Sequence, residues 1–214
     1  MSTSDSVTLV AAAVGAFLGA AVAFLLEAGR RWLAERQTRY AAILQAQFSL
    51  SMQLRSLVNI RDQYLNELRD DPKRFMLLVP FIGELPDPQV DLSALSFVGV
   101  KDRVDVLQQI HMAQGAWSTA MAALRERNGM MDILYEKAEP RGPVEFESGA
   151  QDISVEAGLA RRLKGITDGL YQAVDSGIDV QHSAIQALAG AGKRMFKRRD
   201  FLDVVELAGD AQSG

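Results

Sequence analysis

The apolar positions of this chain form one uninterrupted run near the amino terminus and three long periodic stretches after it. Residues 7–26 carry no charged side chain. A helix of that length rises about 30 Å, which is the thickness of the hydrocarbon core of a membrane. Residues 1–6 lack the basic side chains that open a secretory signal peptide, and the apolar run is longer than a signal peptide requires. The pattern therefore predicts an uncleaved transmembrane helix over residues 7–26, preceded by a short extracytoplasmic N-terminus.

The charges beside this run predict its orientation. Basic residues follow the run and none precedes it, and positive flanks remain in the cytoplasm. The residues that carry this prediction are Arg30, Arg31, Arg36 and Arg39, together with Trp32 as an interfacial aromatic. A bacterial inner-membrane protein with its C-terminal domain in the cytoplasm is therefore expected, with the lipid bilayer as one partner.

Small residues recur at intervals of four within the same run. Ala11, Gly15 and Gly19 would lie on one face of a helix and allow a second helix to approach closely. This spacing predicts packing against a membrane protein partner or against another copy of the chain. The alternative is that the spacing arises by chance, because Gly and Ala are common in membrane helices.

Three periodic stretches predict the rest of the fold. Apolar residues recur at steps of three and four over about residues 27–70, 101–137 and 154–195, which is the pattern of amphipathic helices. The first helix is expected to continue from the apolar run without a break and to end before Pro72.

Helices that each carry one apolar stripe bury those stripes against each other. The predicted fold is therefore all-α, an up-down-up antiparallel three-helix bundle over residues 27–199, followed by an acidic and flexible tail over residues 200–214. A parallel coiled-coil dimer of the first helix is the alternative, but Arg36, Gln47 and Arg61 close to the seam disfavour it.

The connection between the first two predicted helices is unusually long for a helical bundle, and such connections tend to be functional or to carry structure of their own. It contains an apolar run that Pro80 interrupts. One interpretation is a plug over the far end of the bundle, and the other is an exposed docking patch for a cytoplasmic protein. The candidate docking residues are Phe75, Leu77, Leu78, Phe81 and Ile82.

A basic cluster stands near the carboxyl terminus, formed by Lys193, Arg194, Lys197, Arg198 and Arg199. It could bind anionic lipid headgroups or nucleic-acid phosphates. The simpler interpretation is a basic helix end that complements the helix dipole, with an acidic tail that partly neutralises it.

Composition excludes several kinds of chemistry. The chain has no cysteine, which rules out disulfides, thiolate metal sites and a cysteine nucleophile. Its two histidines, His111 and His182, have no acidic or histidine neighbour at a convincing metal-binding spacing. The formal net charge of −4 does not favour nucleic-acid binding. No catalytic residue, metal site or cofactor is therefore predicted, and an enzyme is not expected.

These observations lead to three hypotheses of function. The first is a membrane-anchored helical adaptor, scaffold or regulatory subunit that acts through protein–protein contacts. The second is a self-assembling membrane effector, resembling a toxin or a phage-defence component in its action. The third is a small structural subunit of a larger membrane complex.

Overall fold

The computed structural model describes the backbone of residues 3–83, 86–98, 104–137, 157–197 and 201; the side chains of residues 3–14, 104 and 137 lie outside the described part. Within these residues the chain is helical and contains no strand. Two long helices pack directly along each other in a bundle. The predicted all-α class and its helical bundle are therefore confirmed.

The first helix, α1, spans Thr3–Asn59 and continues as a π-helix over Ile60–Leu65 and a short 3₁₀ turn over Asn66–Leu68. The first proline of the sequence is Pro72, so no residue before it interrupts the hydrogen-bonding pattern. Ile60 and Leu65 are both buried and stand five positions apart. A π-turn, with its hydrogen bonds from residue i to i+5, brings side chains of that spacing to the same face.

Three further helices are described from end to end: α2 (Arg74–Leu77), α3 (Val104–Lys137) and α4 (Ala157–Phe196). The chain divides into two compact units, residues 1–42 and residues 43–214. The first unit consists of the amino-terminal part of α1. The second contains the bundle, beginning at Ile43.

The predicted membrane anchor is not supported by the described residues. Among the residues that the structure describes, no helix has a segment long and apolar enough to cross a membrane. This finding contradicts the predicted inner-membrane localisation and leaves the transmembrane helix over residues 7–26 without support. The side chains of residues 7–14, including that of Ala11, lie outside the described part.

The helices α3 and α4 run antiparallel. Near one end of the pair, the side-chain amide of Gln181 donates to the carbonyl oxygen of Ala113 at 3.0 Å. Near the other end, the guanidinium of Arg127 donates to the hydroxyl of Thr167 at 3.3 Å. Residue numbers therefore rise along α3 as they fall along α4.

The bundle part of α1, in contrast, runs parallel to α3. Gln53 lies at the level of Ala113, because Gln181 bonds both of them and its distance to the Gln53 Oε1 is 2.8 Å. Tyr64 lies at the level of Arg127, which donates to its hydroxyl at 3.0 Å. The predicted up-down-up order is therefore wrong, since the second long helix of the bundle does not return antiparallel to the first.

The connection, described over residues 78–83 and 86–98, makes this arrangement possible because its contacts run back along the bundle. Phe81 meets Asn128, and further along the connection Asp87 accepts a hydrogen bond of 2.9 Å from the indole of Trp117. Pro88 then accepts one of 2.6 Å from Gln53. From Phe81 onward the connection therefore lies lengthwise against α1 and α3.

The core of the second unit is mainly aliphatic, and Trp117 is its largest fully buried side chain. Its most deeply buried members come from all three long helices and from the connection: Ile43, Leu50, Leu57, Leu95, Ile110, Trp117, Leu170, Val174, Ile185 and Leu188. At Gly177 of α4 a Cβ atom would lie only 3.0 Å from Leu57 Cδ1, so the glycine permits a close approach of α4 and α1.

Candidate functional site: a groove beside the returning connection

A groove of about 660 Å³ opens between α1 and the start of the returning connection, entirely within the second unit. The first wall combines the end of the α-helix with the π-helix, and the second wall is formed by residues 79–82 and 86. The lining residues are Met52, Arg55, Ser56, Asn59, Ile60, Gln63, Tyr64, Val79, Pro80, Phe81, Ile82 and Pro86.

The helical wall mixes apolar and hydrogen-bonding side chains. Met52, Ser56, Asn59 and Gln63 follow one another at steps of four, three and four, so they form one stripe about 16 Å long. Arg55 supplies a guanidinium among the described lining residues and is exposed. This wall can therefore contact apolar groups along its length and polar groups at several points.

The opposite wall presents apolar side chains to solvent. Ile82 is 95% exposed and Val79 is 62% exposed. Pro80 and Pro86 fix the backbone φ angle at two positions of this short wall and lack N–H donors. Fixed backbone angles reduce the conformational entropy that the wall would lose on binding.

Arg127 attaches this wall to the bundle. Its side chain is fully buried, and it donates to the carbonyl oxygens of Leu78 and Val79, the latter at 3.2 Å. It also donates to the hydroxyls of Tyr64 at 3.0 Å and Thr167 at 3.3 Å. One side chain therefore connects the second wall to both α1 and α4.

The electrostatic setting of Arg127 is unusual. Among the ion pairs of the described residues none involves Arg127, and its partners there are neutral oxygens. Burial lowers the pKa of Arg127, because removal from water disfavours the charged form. The guanidinium nevertheless remains protonated at neutral pH, since its pKa is intrinsically very high. Its hydrogen bonds are therefore charge-assisted and comparatively strong.

Asn128 and Tyr64 hold Phe81, which follows Pro80 in the second wall. The Asn128 side-chain amide accepts from the Phe81 N–H at 3.0 Å and donates to the Phe81 carbonyl at 2.9 Å. The rings of Tyr64 and Phe81 meet edge to face, with centroids 5.3 Å apart. The Tyr64 hydroxyl also donates to the Val79 carbonyl, and burial raises the pKa of Tyr64. Backbone and ring contacts together fix Phe81.

The turn that leads into the wall is fastened to α4. Arg69 forms two hydrogen bonds of 2.9 Å with the carboxylate of Asp175, and Arg74 contacts Asp168 at 2.6 Å. Both guanidinium groups lie over the ring of Tyr171, at 5.5 and 4.5 Å from its centroid. The hydrogen bonds from Arg69 hold the pKa of Asp175 below its usual value.

The structure separates the five residues that the sequence proposed for docking. Leu78 is buried, and Phe75 packs against a core cluster that contains Met131 and Leu134. Phe81 and Ile82 line the groove. Leu77 is half exposed but lies outside the groove lining.

The other candidate sites lie away from this groove. Gly15 and Gly19 have open space around the position of a Cβ atom. Further along α1, the predicted membrane-flanking residues Arg30, Arg31 and Trp32 are exposed. The guanidinium of Arg36 lies 5.4 Å from the centroid of the Trp32 ring. Arg39, another member of the predicted membrane-flanking set, donates a hydrogen bond to the carboxylate of Glu35.

The carboxyl-terminal basic cluster is only partly within the described residues. Lys193 and Arg194 lie in the last turn of α4, and Lys197 follows with a positive φ of 51°, which ends the helix. Arg198 and Arg199 lie outside the described part. The described members therefore stand at a helix C-terminus, where basic side chains complement the helix dipole.

Sequence reasoning missed the three residues that hold the second wall. Arg127 stands three positions after Leu124 and four before Met131, on the buried stripe of α3, and this register was a signal that it is not a solvated charge. Asn128 is a poor helix former in the interior of a long helix, which was a second signal. Tyr64 gave no signal, because its partner is a backbone carbonyl of the connection.

No protein family, curated protein or solved structure matches this chain. Among the described residues, no group of three or more acidic or histidine side chains is arranged to hold a metal ion.

Proposed function

We propose that this chain is a helical adaptor whose groove binds an apolar segment of a partner protein. The observation that carries the proposal is the second wall of the groove, where Val79 and Ile82 are exposed although Arg127 and Asn128 hold the backbone carbonyls of Val79 and of Phe81, the residue before Ile82. Exposed apolar groups on an anchored segment are typical of interaction sites.

The lining favours a partner segment with both apolar and polar groups. Apolar side chains of the partner would fill the space between Met52 and Ile82, and burial of an Ile side chain contributes about 1.5–3 kcal/mol. Asn59 and Gln63 offer hydrogen bonds along the helical wall, and Arg55 favours a carboxylate at that point. A stripe about 16 Å long accommodates roughly three turns of helix or five extended residues.

Site-specific photo-crosslinking in cells tests this proposal. A photo-reactive amino acid placed at Arg55 of the full chain should give a defined adduct with one protein. The substitution Ile82→Asp should remove that adduct, because an ionised carboxylate in an apolar contact is costly to bury. The matched control is Ile133→Asp, since Ile133 is an exposed isoleucine of α3 outside the groove lining.

The two substitutions separate binding at the groove from a loss of folding or a random collision. An adduct that survives Ile82→Asp, or that disappears equally with Ile133→Asp, contradicts the proposal. Circular dichroism of both variants should show unchanged helix content, because neither side chain is part of the buried core.

A further inference from the structure

The first unit of the chain carries a large apolar surface that the described structure leaves uncovered. Within residues 15–42, the part of this unit whose side chains are described, eight large apolar side chains are more than half exposed. They are Phe17, Leu18, Val22, Phe24, Leu25, Leu26, Trp32 and Leu33. Scattered single exposures need no explanation, but a contiguous set of this size marks an interaction surface.

These side chains occupy one side of the helix. Successive residues turn by about 100° around an α-helix, so the eight positions fall within an arc of about 200°. Leu25 lies near the middle of that arc. The opposite side carries alanines and charged groups, among them Ala16, Ala23, Glu27 and Arg30. The surface is therefore a single apolar face with a small and polar back.

Two charged side chains beside the apolar face pair with each other within the helix. Arg31 donates to the carboxylate of Glu27 one turn earlier at 2.9 Å, so these two charges pair within the helix. The apolar face contains no charged residue between Phe17 and Leu26. Such a face is complementary to another copy of itself, because apolar contact requires no matching pattern of opposite charges.

The exposed area also suits association between copies. An aromatic side chain contributes roughly 150–250 Å² when fully covered. The eight partly exposed side chains together offer on the order of 900 Å², against the roughly 800 Å² that each partner buries in a stable protein–protein interface. An arc wider than the ~100° stripe of an ordinary surface helix allows each helix to contact more than one neighbour.

We propose that the N-terminal part of α1 is a self-association surface, on which the face centred on Leu25 packs against the same face of further copies of this chain. The assembly forms through residues 17–33, and it is independent of the groove over residues 52–86. Loss of one interaction therefore leaves the other measurable.

Sedimentation equilibrium of the purified full chain tests this assembly. The expected mass is a defined multiple, two or more, of the monomer mass of 23.4 kDa. The double substitution Phe17→Asp with Leu25→Asp should raise the dissociation constant by at least ~100-fold, because two carboxylates would be buried among apolar groups. The double substitution Ala16→Asp with Ala23→Asp introduces the same charges on the opposite side and should leave the mass unchanged.

Cysteine cross-linking gives a second measurement, because the sequence contains no cysteine of its own. Leu25→Cys should form an inter-chain disulfide on mild oxidation, with at least ~10-fold greater yield than Ala23→Cys if the face is the interface. A monomeric chain, a polydisperse aggregate without a defined multiple, or equal cross-linking at the two positions would overturn the proposal.

Discussion

Replacement of Arg127 by methionine examines how the second wall of the groove is held. The methionine keeps most of the apolar volume but removes every donor. The carbonyl oxygens of Leu78 and Val79, and the hydroxyls of Tyr64 and Thr167, then lose a charged partner. We expect the wall to detach from the bundle while α3 and α4 remain packed, because their apolar contacts do not depend on this side chain.

The size of the effect follows from the four acceptors. A hydrogen bond to a charged group contributes about 1.5–3 kcal/mol, but oxygens at the wall can be rehydrated once it detaches. Removal of the guanidinium also removes the unfavourable free energy of burying its charge. The two compensations offset roughly half of the gross loss, so the free energy of unfolding should fall by about 3–6 kcal/mol.

Urea unfolding and amide hydrogen exchange measure this prediction together. Arg127→Met should lower the unfolding midpoint, and protection should fall at the Phe81 amide, which Asn128 holds in the native chain. The matched control is Arg125→Met on the exposed side of the same helix, which should change stability by less than about 0.5 kcal/mol. A loss below about 1 kcal/mol for Arg127→Met, with unchanged exchange, would refute the anchoring role.

Two further predictions concern buried and paired polar groups. Gln47 is fully buried, and neither atom of its amide has a hydrogen-bond partner among the described residues, so Gln47→Met should stabilise the chain by about 1–2 kcal/mol in urea unfolding. Gln53→Met should destabilise it instead, since Gln53 bonds Pro88 and Gln181, and the same sign for both substitutions would contradict the argument. Because Arg69 lowers the pKa of Asp175, its ion pair stabilises the fold above the usual carboxyl pKa and loses this effect as the pH falls through the lowered value. Asp175→Asn should therefore cost less than about 1 kcal/mol near neutral pH, because both groups are partly exposed, and the difference from the native chain should vanish in acid. A difference that does not change with pH would show that the pair acts through shape alone.

Periodicity found only part of the candidate site. The apolar run with Pro80 drew attention to Phe81 and Ile82, which line the groove, but the same run contains Leu78 and Phe75, which belong to the core side. Hydrophobicity alone does not distinguish these positions, because both kinds are apolar. Their separation depends on which side of the extended segment faces the bundle.

The relative direction of α1 and α3 could not be predicted from the sequence either. A long connection is compatible with a loop at one end of a bundle and with a segment that runs back along it. The second arrangement occurs because backbone oxygens of the connection find donors on both helices, for example Pro88 on Gln53 and Val90 on Gln114. Such pairings join residues far apart in the chain, and local sequence patterns do not predict them.

The sequence by itself determined the helical class of this protein. Apolar residues three and four positions apart form one stripe on a helix, and that relation depends only on neighbouring residues. The tertiary structure alone decided the parallel course of α1 and α3, the groove beside the returning connection and the role of Arg127. These features depend on the burial of particular oxygens against particular donors, and burial is a property of the assembled bundle rather than of any segment.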